Sequence, residues 1–279
     1  MNDVVLTCSV KYLAFEETMR RVPTSKPNGL FGTPITIATK REKRAVPFII
    51  TSCVREVERR GIMEVGVYRV SGSAADVARL KRAYETNPYE AEQLLKECDI
   101  HSVAGILKLY LRDLPESLFT SAIYNRMFEA YTTIPSHDQE GRKNAFLNLF
   151  SQIPHNPNQA CIVFLIEHMV RVSQFEPQNK MSLHNLATVF GPTMLHSGDH
   201  NIAKKGNAGK DQLTTGTVDV MAQAGILHFF LTRRARGEPI QIVERQVWWE
   251  RRAVSQKCER PCKKTFFKLV SKKNVLMCQ

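Results

Sequence analysis

The chain has 279 residues, 43% of them hydrophobic and 24% charged, which is ordinary for a soluble protein and enough to bury a real core. No stretch approaches the roughly 20 apolar residues of a membrane-spanning helix, and the first twenty residues lack the basic-then-apolar order of a signal peptide, so a cytoplasmic protein is expected. The formal net charge of +12 is uneven: Arg233 to Gln279 carries thirteen Lys/Arg against four Asp/Glu, a net +9, and the seven scattered cysteines read as reduced.

At the N-terminus, Val4, Leu6, Cys8, Val10 and Tyr12 alternate with their neighbours at the period of a half-buried strand. Ile35, Ile37 and Thr39 repeat that alternation after a turn-rich stretch containing Pro23, Pro27, Asn28 and Gly29. Two such strands make no stable sheet alone, so residues 1–45 either pack on the main domain or are the remnant of a β domain plus a linker, and the remnant is the favoured reading.

From Val46 the pattern turns helical. Pro47 suits the first turn of a helix with Ile49, Ile50, Cys53, Val54 and Val57 on its apolar face and Gly61 as its stop. Ser73 and Asp76 form a capping-box-like start for a helix lined by Val77, Leu80 and Tyr84. Asn87-Pro88 opens a shorter helix, and Ser102 is read as the cap of an apolar helix that ends before Pro115. Thr120, Asp138, Asn158, Ser182 and Thr217 are the remaining candidate caps, and the helix holding Ile162, Leu165, Ile166 and Met169 is apolar enough to be central. This predicts an all-α domain of about eight or nine helices over residues 46–234. Ser197 to Gly216 reads as an insertion, and residues 235–279 as a basic tail containing Trp248 and Trp249.

Familiar catalytic motifs are missing. Gly206-Asn-Ala-Gly-Lys210 is followed by Asp211 and lacks the spacing and hydroxyl of a phosphate-binding loop. His196 with His200, and Cys258 with Cys262, lack the second ligand pair of a metal site. No nucleophilic triad stands out, and the histidines read as capping, packing or solvated residues. What remains is Arg69, bracketed by Gly66 and Gly72 in a loop that Val67, Tyr68 or Val70 can anchor, and the pair Lys108 and Arg112 on one helix face. Alone, each has a bland explanation as solvated surface charge.

Three stretches change that reading: Gly66 to Gly72, Ala104 to Phe119 (AGILKLYLRDLPESLF) and Asn179 to Thr193 (NKMSLHNLATVFGPT). Together, in this order, they resemble the signature blocks of RhoGAP domains, and the chain is similar to the breakpoint cluster region subgroup over about Phe31 to Arg234. The resemblance implies a helical GTPase-activating module with Arg69 as an arginine finger. It implies Lys108 as a contact to the GTPase switch region, Arg112 as a brace for the finger loop, and Asn185 as part of the binding surface. The resemblance also puts Thr193 on that surface; many members carry Asn there, but this chain, like the breakpoint cluster subgroup, has the shorter Thr193, which offers no amide. The resemblance further implies that residues 1–45 include the end of a C2-type β-sandwich, and that the partner is a GTP-bound Rho-family GTPase, Rac-like by subgroup. GTP and Mg²⁺ would be bound by that partner, with no cofactor of the chain's own. A catalytically silent GTPase-binding module is the alternative. The tail, with its cations and aromatics, fits an anionic membrane at the cell periphery better than nucleic acid, since no nucleic-acid-binding fold accompanies it.

Overall fold

Capping side chains and apolar spacing divide the chain into helices nearly where the sequence predicts them. The computed structural model describes residues 29–196 and 211–240. The expected strand Val4–Tyr12, residues 197–210 of the expected insertion, and the tail after Ile240 lie outside the described residues, while residues 211–216 of that insertion belong to the last helix. The described helices are α1 (Ile35–Glu42), α2 (Phe48–Glu56), α3 (Ala74–Thr86), α4 (Pro88–Glu97), α5 (Ile100–Arg112), α6 (Ser121–Thr133), α7 (Gln139–Ser151), α8 (Ala160–Ser173), α9 (Glu176–Asn179), α10 (Leu183–Met194) and α11 (Asp211–Ala235). A wide π turn, Val57–Gly61, extends α2, and another, His155–Gln159, precedes α8. The fold is all-α, and no strand occurs among the described residues.

Several helix starts follow the predicted chemistry. The Ser73 hydroxyl accepts from Asp76 N, Asn87 Oδ1 from Tyr89 N, Asp138 Oδ1 from Gly141 N and Ser182 Oγ from Asn185 N, each satisfying a donor that the first helical turn leaves free.

Other starts differ. Ile35 to Thr39 is helical rather than extended: Pro34 presets the entry at φ −53°, Ile35, Ala38 and Thr39 bury together, and Ile37 is 45% exposed. Three alternating residues are too few to separate a period of 2 from one of 3.6. The cap of α5 is Asp99, whose Oδ2 accepts from His101 N at 2.9 Å, while Ser102 is buried and its Oγ accepts from Ser73 N at 2.9 Å. Asn158 spends its amide on Leu118 O at 2.9 Å instead of capping α8. Thr120 stands at the start of α6 without a side-chain cap bond. The last helix begins at Asp211, so Thr217 lies inside it.

The segment before Pro47 is fastened to the helical body. Glu85 accepts from Leu30 N and Phe31 N, both at 2.9 Å, and the Phe31 ring meets Tyr110 edge-on at 5.7 Å. At the other end Ile240 is buried in the same core. The chain divides into two units after Ile242, the second of which lies outside the described residues.

Helix α8 is central, as its composition predicts: Ile162, Leu165, Ile166 and Met169 have no exposure. It packs against α10 and α11, and α10 in turn packs against α5 and α11. Phe230 of α11 meets Phe150 of α7 at 5.1 Å and Phe119 at 5.8 Å, tilted ring pairs that each contribute about 0.5–1.5 kcal/mol beyond area burial. Among the described residues no helix is long and apolar enough to cross a membrane. This bundle leaves the loop between Gly61 and Ser73 lying against α5, α8 and the Asn179–Met181 corner.

Candidate functional site

The Gly61–Ser73 loop is built around two residues with positive φ. Gly66, at φ +71°, donates its N–H to Asn179 O at 2.7 Å, and its carbonyl accepts from Arg69 N and Val70 N, both at 2.8 Å. A Cβ there would stand 2.8 Å from Val70 Cγ2, so glycine answers both the turn and the space. Tyr68 has φ 74°, an unfavourable conformation for an aromatic residue that must be held by its surroundings.

It is held at both ends. The Tyr68 ring is fully buried and edge-on to Phe190 at 4.8 Å and His168 at 5.7 Å, with its hydroxyl 2.6 Å from His168 Nε2. The Tyr68 carbonyl accepts a hydrogen bond from Lys108 Nζ. Of the three anchors read from the sequence, Val67 and Tyr68 are buried and Val70 is 44% exposed. The loop leaves through Gly72, where a Cβ would lie 2.2 Å from Ser102 N, a backbone approach no other residue permits.

Arg69 follows Tyr68, and its guanidinium lies beside Gly66, with Nε and Nη2 each 3.7 Å from where a Cβ would stand there. Its side chain is exposed and makes no hydrogen bond or ion pair among the described residues. Around it the same loop exposes Met63 (57%), Val65 (55%) and Val70 (44%), apolar side chains that the composition alone did not mark as surface. An unpaired cation on a loop that also exposes apolar side chains is a surface suited to contact.

Behind the loop lies a polar chain absent from the sequence reading. His168 Nδ1 is 2.7 Å from Glu58 Oε1, and Arg171 Nε donates to the same oxygen at 2.8 Å. Burial alone would raise the Glu58 carboxyl, but the hydrogen bonds from His168 and Arg171 outweigh it and hold the group below its ordinary value. Burial lowers His168, against the opposing pull of Glu58. The pair therefore rests as a carboxylate and a neutral imidazole at neutral pH. Nearby, Asn179 is fully buried: its Nδ2 donates to Ile62 O and Val172 O, and its Oδ1 accepts from Met181 N, all at 2.8 Å. Glu58 and His168 are 110 residues apart, so no local pattern could pair them.

The other sequence-selected residues divide between surface and scaffold. Lys108 is half-buried, and burial followed by the nearby Arg112 charge lowers its ammonium pKa. Lys108 bonds to the loop, whereas Arg112 is exposed and makes no hydrogen bond or ion pair among the described residues. Of the two, the side chain that bonds to the loop is Lys108, one helical turn closer to it than Arg112. Asn185 is half-buried and donates Nδ2 to Lys180 O at 3.0 Å, joining α10 to the corner that receives Gly66. Thr193 is only 4% exposed, with its hydroxyl donated back to Val189 O at 3.3 Å, so it offers no surface. His196 is also buried, while His200, Cys258 and Cys262 lie outside the described residues. Among the described residues no three His, Cys, Asp or Glu side chains converge as metal ligands.

Comparison with known proteins gives this arrangement its context. The family model of the RhoGAP domain matches residues 47–199, which include the loop, α5 and α10. The chain belongs to the RhoGAP domain family. It is 41% identical over 231 residues to the active breakpoint cluster region-related protein of Xenopus laevis, covering 83% of this chain and 26% of that protein. It is 40% identical over 241 residues to the human breakpoint cluster region protein, covering 86% of this chain and 19% of that one. The chain thus spans about a quarter or less of the length of these relatives. The crystal structure of human Rho GTPase activating protein 15 superposes with a TM-score of 0.60 at 25% identity, covering 81% of this chain and 98% of that one.

Proposed function

We propose that this RhoGAP domain accelerates GTP hydrolysis by a Rho-family GTPase, Rac-like in preference, by inserting Arg69 into the partner's nucleotide site. The carrying observation is an exposed, unpaired Arg69 on a loop whose neighbouring residues are pinned from behind. A guanidinium brought beside GTP meets charge that builds on the phosphate oxygens as the bond to the γ-phosphate loosens. Its planar fork donates hydrogen bonds that are stronger in the transition state than in the ground state. The partner contributes Mg²⁺, the phosphate-binding loop and the residue that positions water, so the chain needs to supply only charge and placement. A finger delivered in this way is worth about 10³–10⁵ in rate.

Met63, Val65 and Val70 supply apolar contact around the inserted cation, and Arg112 supplies charge toward an acidic switch surface. Lys108 has three donors, so its bond to Tyr68 leaves others to reach the partner. The test is single-turnover hydrolysis with Rac-type, Rho-type and Ras-type GTPases. The expected outcome is strong stimulation of the Rac-type protein, weaker of the Rho-type and none of the Ras-type, with stimulation reduced at least about a hundredfold by Arg69→Ala. Binding without acceleration of any Rho-family protein would establish the silent-module alternative instead.

The same proposal places the domain in the cytoplasm, at the inner face of the plasma membrane. Its support is the net +9 between Arg233 and Gln279, each cation near an anionic surface contributing about 1 kcal/mol. Sedimentation with anionic vesicles should be lost on deleting residues 243–279, with GTPase activation in solution retained; retained sedimentation would rule the tail out.

A further inference from the structure

We propose that Tyr68 is the positioning residue of the arginine finger, set from inside the protein by His168 and Glu58 through its hydroxyl. The inference rests on the finger reading of Arg69 and adds the device that aims it.

Tyr68 immediately precedes Arg69, so the two Cα atoms are about 3.8 Å apart and the orientation of one peptide plane passes directly to the other. That peptide is clamped. At one end of Tyr68 the carbonyl is gripped by Lys108 Nζ; at the other the hydroxyl meets His168 Nε2 at 2.6 Å. The backbone between these grips has a positive φ, which a tyrosine keeps only under constraint. A purely space-filling residue would need the ring alone, which already has Phe190 and His168 edge-on to it. The hydroxyl adds a direction.

The polarity of the chain follows from its far end. An ionised Glu58 can only accept, so His168 Nδ1 carries the proton and donates to Glu58 Oε1 at 2.7 Å. Nε2 is then the unprotonated nitrogen, and it accepts from the Tyr68 hydroxyl. Arg171, half-buried on α8, closes the chain on the same carboxylate. A defined sequence of donors therefore runs from Tyr68 through His168 to Glu58. Catalysis by a positioned cation depends on placement within a fraction of an ångström, which a rigid support of this kind provides.

The test compares Tyr68→Phe, Arg69→Ala and the double variant. Two readouts are needed: maximal stimulated hydrolysis with the chain in saturating excess over a GTP-loaded Rac-type GTPase, and affinity for the same GTPase bound to a non-hydrolysable GTP analogue. Phenylalanine keeps the ring and its packing. Tyr68→Phe should slow maximal hydrolysis about 3- to 10-fold, the equivalent of one hydrogen bond, with affinity within about twofold of wild type. In the Arg69→Ala background it should cause no further slowing, because there is no finger left to aim. Wild-type rates in Tyr68→Phe, with Arg69→Ala still slowed at least about a hundredfold, would overturn the positioning role and leave the finger intact. The same slowing in both backgrounds would also overturn it, by showing an effect on the fold or the interface. Wild-type rates in Arg69→Ala would overturn the finger reading, and the positioning role with it.

Discussion

The loop around Arg69 and the stretch from Asn179 to Thr193 are both family-like in sequence and touch each other, yet the residues singled out in them do different things. The loop exposes its cation and three apolar side chains while anchoring the residues between them. In the second stretch, where Lys180, His184 and Thr188 are exposed, the bonded polar residues serve the inside: the buried Asn179 makes three side-chain hydrogen bonds, Asn185 closes a local corner, and Thr193 is buried against its own helix. A recognisable motif can thus consist of groups that meet a partner or of groups that hold those groups in place. Only burial and bonding separate the two.

The largest effect that sharpens this contrast belongs to Asn179. Asn179→Ala removes three hydrogen bonds at a fully buried side chain and leaves the Ile62 carbonyl and the Met181 N–H without a partner, while Val172 O keeps its bond from Phe175 N. It should destabilise the domain by about 2–4 kcal/mol in urea unfolding, since each orphaned group costs about 1–3 kcal/mol and relaxation recovers part of the sum. Arg69→Ala, by contrast, should change stability by less than about 0.5 kcal/mol. Comparable losses in the two variants would remove the distinction between scaffold and presented residue.

Arg112 tests the outward face next. With its guanidinium exposed and uncommitted, Arg112→Glu should weaken association with the GTP-bound partner roughly tenfold at about 0.05 M salt and less than about threefold at 0.5 M, with stability unchanged. A loss independent of salt would point to a packing contact in place of charge steering.

The smallest effect should come from Thr193. Thr193→Val removes a hydroxyl whose bond to Val189 O is long at 3.3 Å, so stability should fall by less than about 1 kcal/mol and partner affinity should not change. A marked loss of affinity in equilibrium binding would mean that this residue reaches the partner after all.

Much of the fold was legible in the sequence because its helices carry local signals. Ser73, Asn87, Asp138 and Ser182 cap helices where spacing places them, and the apolar run of α8 does form the centre. The errors arose where local signals were short or ambiguous: three alternating residues at Ile35 to Thr39 fit a helix as well as a strand, and Ser102 competes with Asp99 as the cap of α5.

The loop that carries Arg69 was legible in its outline. Glycines at positions 66 and 72 bracket Arg69 for reasons the structure makes physical, a positive φ at one and a backbone approach at the other. The division of labour between Lys108 and Arg112 was not legible, because residues four apart on one helix face differ only in how far along the axis the loop crosses. Nor was the chain from Tyr68 through His168 to Glu58, since its members come together only when α8 packs behind the loop. The exposure of Met63, Val65 and Val70 was equally hidden, these being apolar residues that sequence patterns assign to a core.

The central claim is that Arg69 acts in the transition state rather than in ground-state recognition, and the most direct measurement is of paired affinities. Wild type and Arg69→Ala should be titrated against one Rac-type GTPase in two states, bound to a GTP analogue and bound to GDP with aluminium fluoride as a transition-state mimic. The account predicts affinities within roughly tenfold of each other for the GTP-analogue state, and a loss of at least about a hundredfold for the variant in the transition-state mimic. Equal losses in both states would contradict it, making Arg69 an ordinary contact of the interface.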